Sequence, residues 1–193
     1  MTDPGSVYDF AFRGLLTEEA LDRAGRPSRV GTGMFDRDVA EQLSLDVLDE
    51  GRVEAAKIMA AVYVAVAAFE NSVRSLVTTV LREAIGDDWW EKAVSASIQK
   101  SCRTRQDEEE KHRFHSQRGE APLNYTDFRS LSNIIRANWE HFEDFLPSAE
   151  WATAIFDAIE RSRNVIMHSG MLDAEDIARI GMNLRDWVKQ VGT

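Results

Sequence analysis

Cysteine occurs once in the 193-residue chain, at Cys102. A single thiol cannot close an internal disulfide or build a thiolate zinc cage, and such scarcity suits a reducing compartment. Proline is nearly as rare: of four, two fall within residues 1–34 together with five of the 11 glycines, which leaves the rest of the chain free for helices. Long apolar runs are missing too. The most apolar stretch, Ala60 to Ala68, is far shorter than the ~20 residues a spanning helix requires, so no membrane segment is expected. The opening MTDPGSVYDF has neither a basic flank nor an apolar run, so no secretory leader and a cytoplasmic location are expected. Positive charge is the minority sign. The 23 Lys and Arg stand against 33 Asp and Glu, net −10, which argues against a surface devoted wholly to nucleic acid. Residues 1–50 hold 11 acidic and 5 basic side chains, so the other 143 carry only −4, a balance compatible with a local basic pocket.

What is present, 44% hydrophobic and 29% charged residues, fits one compact domain burying roughly 70% of its unfolded surface. Residues 1–50 read as an N-terminal extension, irregular with short helices, one of them near Thr17 to Ala24. Residues 51–193 read as an all-α antiparallel helical bundle. From Arg52 to Ala84 the apolar residues Met59, Val62, Val66, Phe69, Val73, Leu76 and Val80 alternate steps of three and four, the mark of one long helix. Asp87 to about Arg113 reads as a second. Phe128, Leu131, Ile135, Asn138, Phe142 and Phe145 continue the spacing behind Thr126 as a candidate N-cap. Ser148 caps a further helix carrying Ile155, Ile159 and Ile166, with Gly170 as its left-handed stop. Asp173 opens the last helix, with Asp176 placed as in a capping box and Ile177, Ile180, Leu184, Trp187 and Val191 on one face. Breaks every 20 to 30 residues favour packed helices over a coiled coil.

Several chemical templates are absent: no phosphate-binding Walker loop, no nucleophile elbow, no zinc helix; Gly31-Thr-Gly33 lacks the third glycine of a dinucleotide fingerprint. His112 and His115, with Glu108 one turn earlier, have a spacing able to hold a metal, but two histidines on a charge-rich helix read more simply as surface. Cys102 beside Arg103 and Arg105 reads as a packing thiol rather than a nucleophile. Nothing in the sequence asks for a cofactor or a metal. Glu70 and Arg74 are spaced for an i,i+4 ion pair, and with Asn71 they form a polar cluster at the border of an apolar seam.

The most informative stretch is Glu160-Arg-Ser-Arg-Asn-Val-Ile-Met-His-Ser-Gly170. Arg163 precedes His168 by five residues, about 7.5 Å and 140° along a helix, so only the arginine's reach brings the two together. A histidine in the last turn also lies at the negative end of the helix dipole. A plain structural reading pairs Arg163 with Glu160 or Glu175 and lets His168 cap the final carbonyls.

Arg163-Asn164-Val-Ile-Met-His168 resembles the Arg-x4-6-His motif of the HEPN superfamily. Phe69-Glu-Asn-Ser-Val-Arg74, Asp88-Trp-Trp90, Tyr125-Thr-Asp-Phe128 and Asn138-Trp-Glu-His-Phe142 occur in an order similar to that of large HEPN domains, so the resemblance spans roughly residues 50–191. Residue 170 is glycine, so the subgroup with tyrosine two residues after the histidine is not matched. The resemblance implies a helical bundle acting as a metal-independent endoribonuclease of the kind found in toxin or anti-phage systems, with Arg163, His168 and Asn164 as catalytic residues in a homodimer. Glu70, Asn71, Arg74 and Asn138 would support them. RNA would be the substrate and a cognate antitoxin or defence-system protein a partner. The alternative reading is a non-catalytic RNA-binding, dimerisation or adaptor module.

Overall fold

Every regular element described is helical. The computed structural model describes residues 37–112 and 114–192, and the expected helix near Thr17 to Ala24, like Gly31-Thr-Gly33, lies outside them. The chain divides into two compact units between Leu48 and Asp49. The described part of the first unit is a short helix α1 (Arg37–Gln42) followed by a 3-10 turn over Leu45–Val47.

The second unit starts with α2 (Glu50–Ile85), whose 36 residues make a rod about 54 Å long. Asp49 caps it by accepting the N–H of Arg52, so Gly51 lies inside the first turn rather than breaking a helix. It ends at Gly86, where φ of 102° suits only glycine. The helix expected over Asp87 to Arg113 is instead two, α3 (Trp89–Ala93) and α4 (Ala96–Glu110). No glycine or proline marks that break. The Gln99 amide stabilises it by donating to the carbonyls of Trp90, Glu91 and Val94.

A 3-10 turn at Pro122–Tyr125 leads into α5 (Phe128–Ala137), which is capped by Asp127, not Thr126. The Asp127 carboxylate accepts the Ser130 N–H at 2.8 Å, while the Thr126 hydroxyl turns back to the Leu123 carbonyl. The seam from Phe128 to Phe145 does not belong to one helix. α5 stops at Ala137, and a 3-10 turn over Trp139–His141 carries the chain on to Ser148. Ser148 caps α6 (Ala149–Met167) through the Trp151 N–H, and Asp173 caps α7 (Ala174–Val191) through the Asp176 N–H. The reciprocal half of the expected capping box is missing, because the Asp176 carboxylate is taken by Arg179 at 2.7 Å.

α6 is the central element, packed on α2, α5 and α7. Its neighbours run antiparallel to it: Leu172 donates to the Met59 sulfur while Arg163 meets Glu70, Ser132 meets Thr153, and Trp151 stacks on Trp187. The core is knitted by aromatic rings. Phe69 lies 5.8 Å from Phe128, 6.0 Å from Phe156 and 5.4 Å from Trp187, so one residue of α2 touches α5, α6 and α7. Burying those rings is the main favourable term in holding the three helices against α2.

Candidate functional site

Phe69 fixes its neighbour. With that ring locked in the core, Glu70 faces α6 at the edge of the bundle, 8% exposed, where an isolated carboxylate would be costly. Two arginines neutralise it from opposite sides. Arg74, one turn on, donates to Glu70 Oε1 at 2.6 Å, the i,i+4 pair expected from the sequence. Arg163 approaches Oε2 from α6 with its Nε at 3.8 Å, so neither Glu160 nor Glu175 is its partner. The two guanidinium groups are used differently. Arg74 also donates to Asn71 Oδ1 and to the carbonyls of Leu123 and Thr126, tying α2 to the turn before α5. Arg163 is held by charge alone, since 3.8 Å is beyond hydrogen-bond range and none of its N–H groups bonds to another described residue.

Beyond Arg163 the helix runs out. His168 is the C-cap residue, its N–H pointing back at the Asn164 carbonyl. The Gly170 N–H bonds the Val165 carbonyl at 2.8 Å and the Ser169 N–H bonds the Ile166 carbonyl at 3.1 Å, the paired bonds of a Schellman ending. The left-handed residue is Ser169, φ 60°, and not Gly170. Glycine is needed at 170 for a different reason: a Cβ there would lie 2.9 Å from the Val165 carbonyl oxygen. This tight ending leaves Asn164 and His168 exposed, one turn apart, with no side-chain hydrogen bond to another described residue. Arg163 turns toward α2 while those two face solvent. Three polar groups thus sit at one helix end, only one of them braced.

A sequence profile described as Swt1-like HEPN matches residues 65–192. The chain belongs to the Swt1-like HEPN family. The matched span contains all seven residues named as catalytic or supporting, and membership suggests an RNase-like or RNA-binding module. No curated protein and no solved structure matches it.

Not every sequence-derived residue of the HEPN domain joins this cluster. Glu70, Asn71, Arg74 and Arg163 are brought together; Asn138 is not among their partners. Its amide donates to the Ala93 carbonyl at 3.0 Å and the Ile134 carbonyl at 2.8 Å, which bolts the end of α5 to the end of α3. Cys102 is buried, and burial pushes its thiol up against the opposing effect of Arg105, so it stays protonated and packed. His112 and His115 are exposed, and among the described residues no group of three His, Cys, Asp or Glu is arranged to hold a metal. Among the described residues no helix is long and apolar enough to cross a membrane.

Two surface features lie along α2 on either side of the Glu70 cluster, their α2 residues turned about 100° from each other around the helix. Toward its N-terminus lies an apolar groove of about 630 Å³ against the end of α6, where Tyr63, Met167 and Met171 are each about half exposed. Toward its C-terminus lies a polar groove against the turn before α5. The sequence reading missed the second. Its signal was an uncharged polar stripe, Asn71, Ser75, Thr78 and Thr79, on a helix whose other exposed positions are mostly charged or apolar.

Proposed function

We propose that this HEPN domain is an endoribonuclease that cuts RNA without a metal, at a crevice completed by a second copy of the chain. The observation that carries the reading is the state of Arg163. Its guanidinium is anchored beside Glu70, yet its donors are unoccupied, and the exposed Asn164 and His168 follow on the same helix end. A planar, permanently charged fork with free N–H groups is suited to a phosphodiester, whose equatorial oxygens gain charge during cleavage.

In the reaction, one His168 takes the proton of a ribose 2′-hydroxyl and the freed oxygen attacks the adjacent phosphorus. Arg163 neutralises the phosphorane, and a second His168 returns a proton to the departing 5′-oxygen. The products are a 2′,3′-cyclic phosphate and a 5′-hydroxyl. Asn164 orients the phosphate or the imidazole. One chain offers a single arginine and a single histidine, too few to act as base, acid and charge clamp together; two copies supply each role. Support for the second copy comes from the apolar groove beside His168, whose half-exposed tyrosine and methionines are the adaptable surface that protein contacts favour. In a toxin or anti-phage setting, a cognate antitoxin or defence protein would silence the enzyme by covering this same face.

The test is incubation of purified protein with a mixed RNA pool in EDTA, followed by end-group analysis. Cyclic-phosphate ends that vanish in His168→Ala are expected. Cutting that needs magnesium, or persists in His168→Ala, contradicts the mechanism; RNA retained but never cut identifies a binding module instead.

A further inference from the structure

The polar groove is about 300 Å³ and lies between α2 and residues 121–124. It begins where the cluster ends: Arg74, which bridges Glu70 and Asn71, forms one of its walls. Asn71, Ser75, Thr78 and Thr79 fall within an arc of about 100° on α2, so they present one strip of hydrogen-bonding groups. Asn124 faces them from the opposite wall.

The Asn71 Oδ1 accepts from Arg74, whereas the side chains of Ser75, Thr78, Thr79 and Asn124 bond to no other described residue. Some hydroxyls elsewhere in the helices bond back to their own backbone, as Thr104 does to Lys100, Thr153 to Ala149 and Ser162 to Ala158. The Ser75, Thr78 and Thr79 hydroxyls make no such bond, nor does the Asn124 amide bond to any other described residue. Asn124 packs against Gly119. Gly119 at φ 138° lays its backbone directly on that side chain, so that a Cβ there would come 2.2 Å from Nδ2.

The occupant's chemistry follows from what the groove has and lacks. Its one charged side chain, Arg74, already donates to Glu70, Asn71 and the carbonyls of Leu123 and Thr126, so no free cation awaits a phosphate. Free donors and acceptors on two facing walls suit a flat group with a mixed hydrogen-bonding edge. The volume is at the lower end for ligand clefts, room for one base and not for a duplex. We infer that this groove receives one unpaired nucleobase of the RNA, next to the phosphate held by Arg163, and sets the enzyme's base preference. The inference rests on the endoribonuclease reading. It also supplies what an acidic chain needs: with little phosphate attraction available, discrimination comes from the base edge.

The experiment measures binding apart from cutting. In a His168→Ala background, fluorescent hexamers of rA, rC, rG and rU are titrated by anisotropy, with Ser75→Ala, Thr78→Val and Asn124→Ala added singly, folding being checked by circular dichroism. One base is expected to be preferred by about tenfold, the scale of a base-edge contact, and the three groove variants to flatten that preference. No preference, or one unchanged in all three folded variants, overturns the inference, and a protein ligand is then the better occupant. The two readings fail separately. Cyclic-phosphate ends from an enzyme whose preference ignores the groove leave the nuclease and remove the groove; preference lost in the variants, with no cutting by the wild type, does the reverse.

Discussion

Two arginines share Glu70, and what each already holds separates scaffold from chemistry. Arg74 has a side chain 16% exposed and bonds to a carboxylate, an amide and two carbonyls, so Arg74→Ala strands Glu70 Oε1 and the Thr126 carbonyl, while the Leu123 carbonyl keeps the Thr126 N–H and hydroxyl. A loss of about 2–4 kcal/mol is expected in urea unfolding. Arg163 is 35% exposed and bound only by a 3.8 Å charge contact, so Arg163→Ala should cost less than about 1 kcal/mol. Under the proposed mechanism its effect falls on catalysis, and RNA cleavage is expected to drop by about 10²-fold or more. Equal destabilisation by the two variants would contradict that division. The Glu70 and Arg74 pair was legible from spacing alone, since residues four apart on a helix must meet. Arg163 reaching Glu70 was not, because that contact depends on how α6 slides against α2, which Phe69, Phe128, Phe156 and Trp187 determine together.

Helix boundaries were readable where a cap acts locally and obscure where it acts across the fold. Ser148 and Asp173 each bond an N–H three residues on, a pattern written in the chain. Thr126 and Asp127 are both good caps, and only the structure decides between neighbours. The split between α3 and α4 depends on Gln99, and the end of α5 on Asn138; three-and-four spacing ran through Asn138 because a 3-10 turn also brings such residues onto one side. Asn138→Ala is expected to lower stability by about 1–2 kcal/mol while leaving the cut-site pattern unchanged. Asp127 gives a pH signature. Burial opposes its charge, but hydrogen bonds from Ser130 and Arg105 prevail and hold the carboxyl below the usual range. Stability from a lowered carboxyl is present above its unfolded pKa and disappears as pH falls through the folded one. The urea-stability gap between wild type and Asp127→Asn, about 0.5–1 kcal/mol at pH 7 for this part-exposed pair, should therefore narrow below about pH 4. A gap that widens on acidification would contradict the assignment.

In the second unit, α2 carries three successive chemistries along its length: an apolar groove, the Glu70 cluster and a groove of polar side chains whose one charge is Arg74. The net charge of −10 disfavours general attraction to RNA, so the proposed function places recognition in local groups along this helix. If two copies share the crevice, a damaged arginine in one chain and a damaged histidine in the other leave one of each. Co-expression of differently tagged Arg163→Ala and His168→Ala chains, isolation of the mixed species and a count of cyclic-phosphate ends formed in EDTA address this directly. The mixed dimer is expected to recover measurable cleavage that neither variant shows alone; a mixed species as inactive as its parents, beside an active wild type, would contradict the shared site.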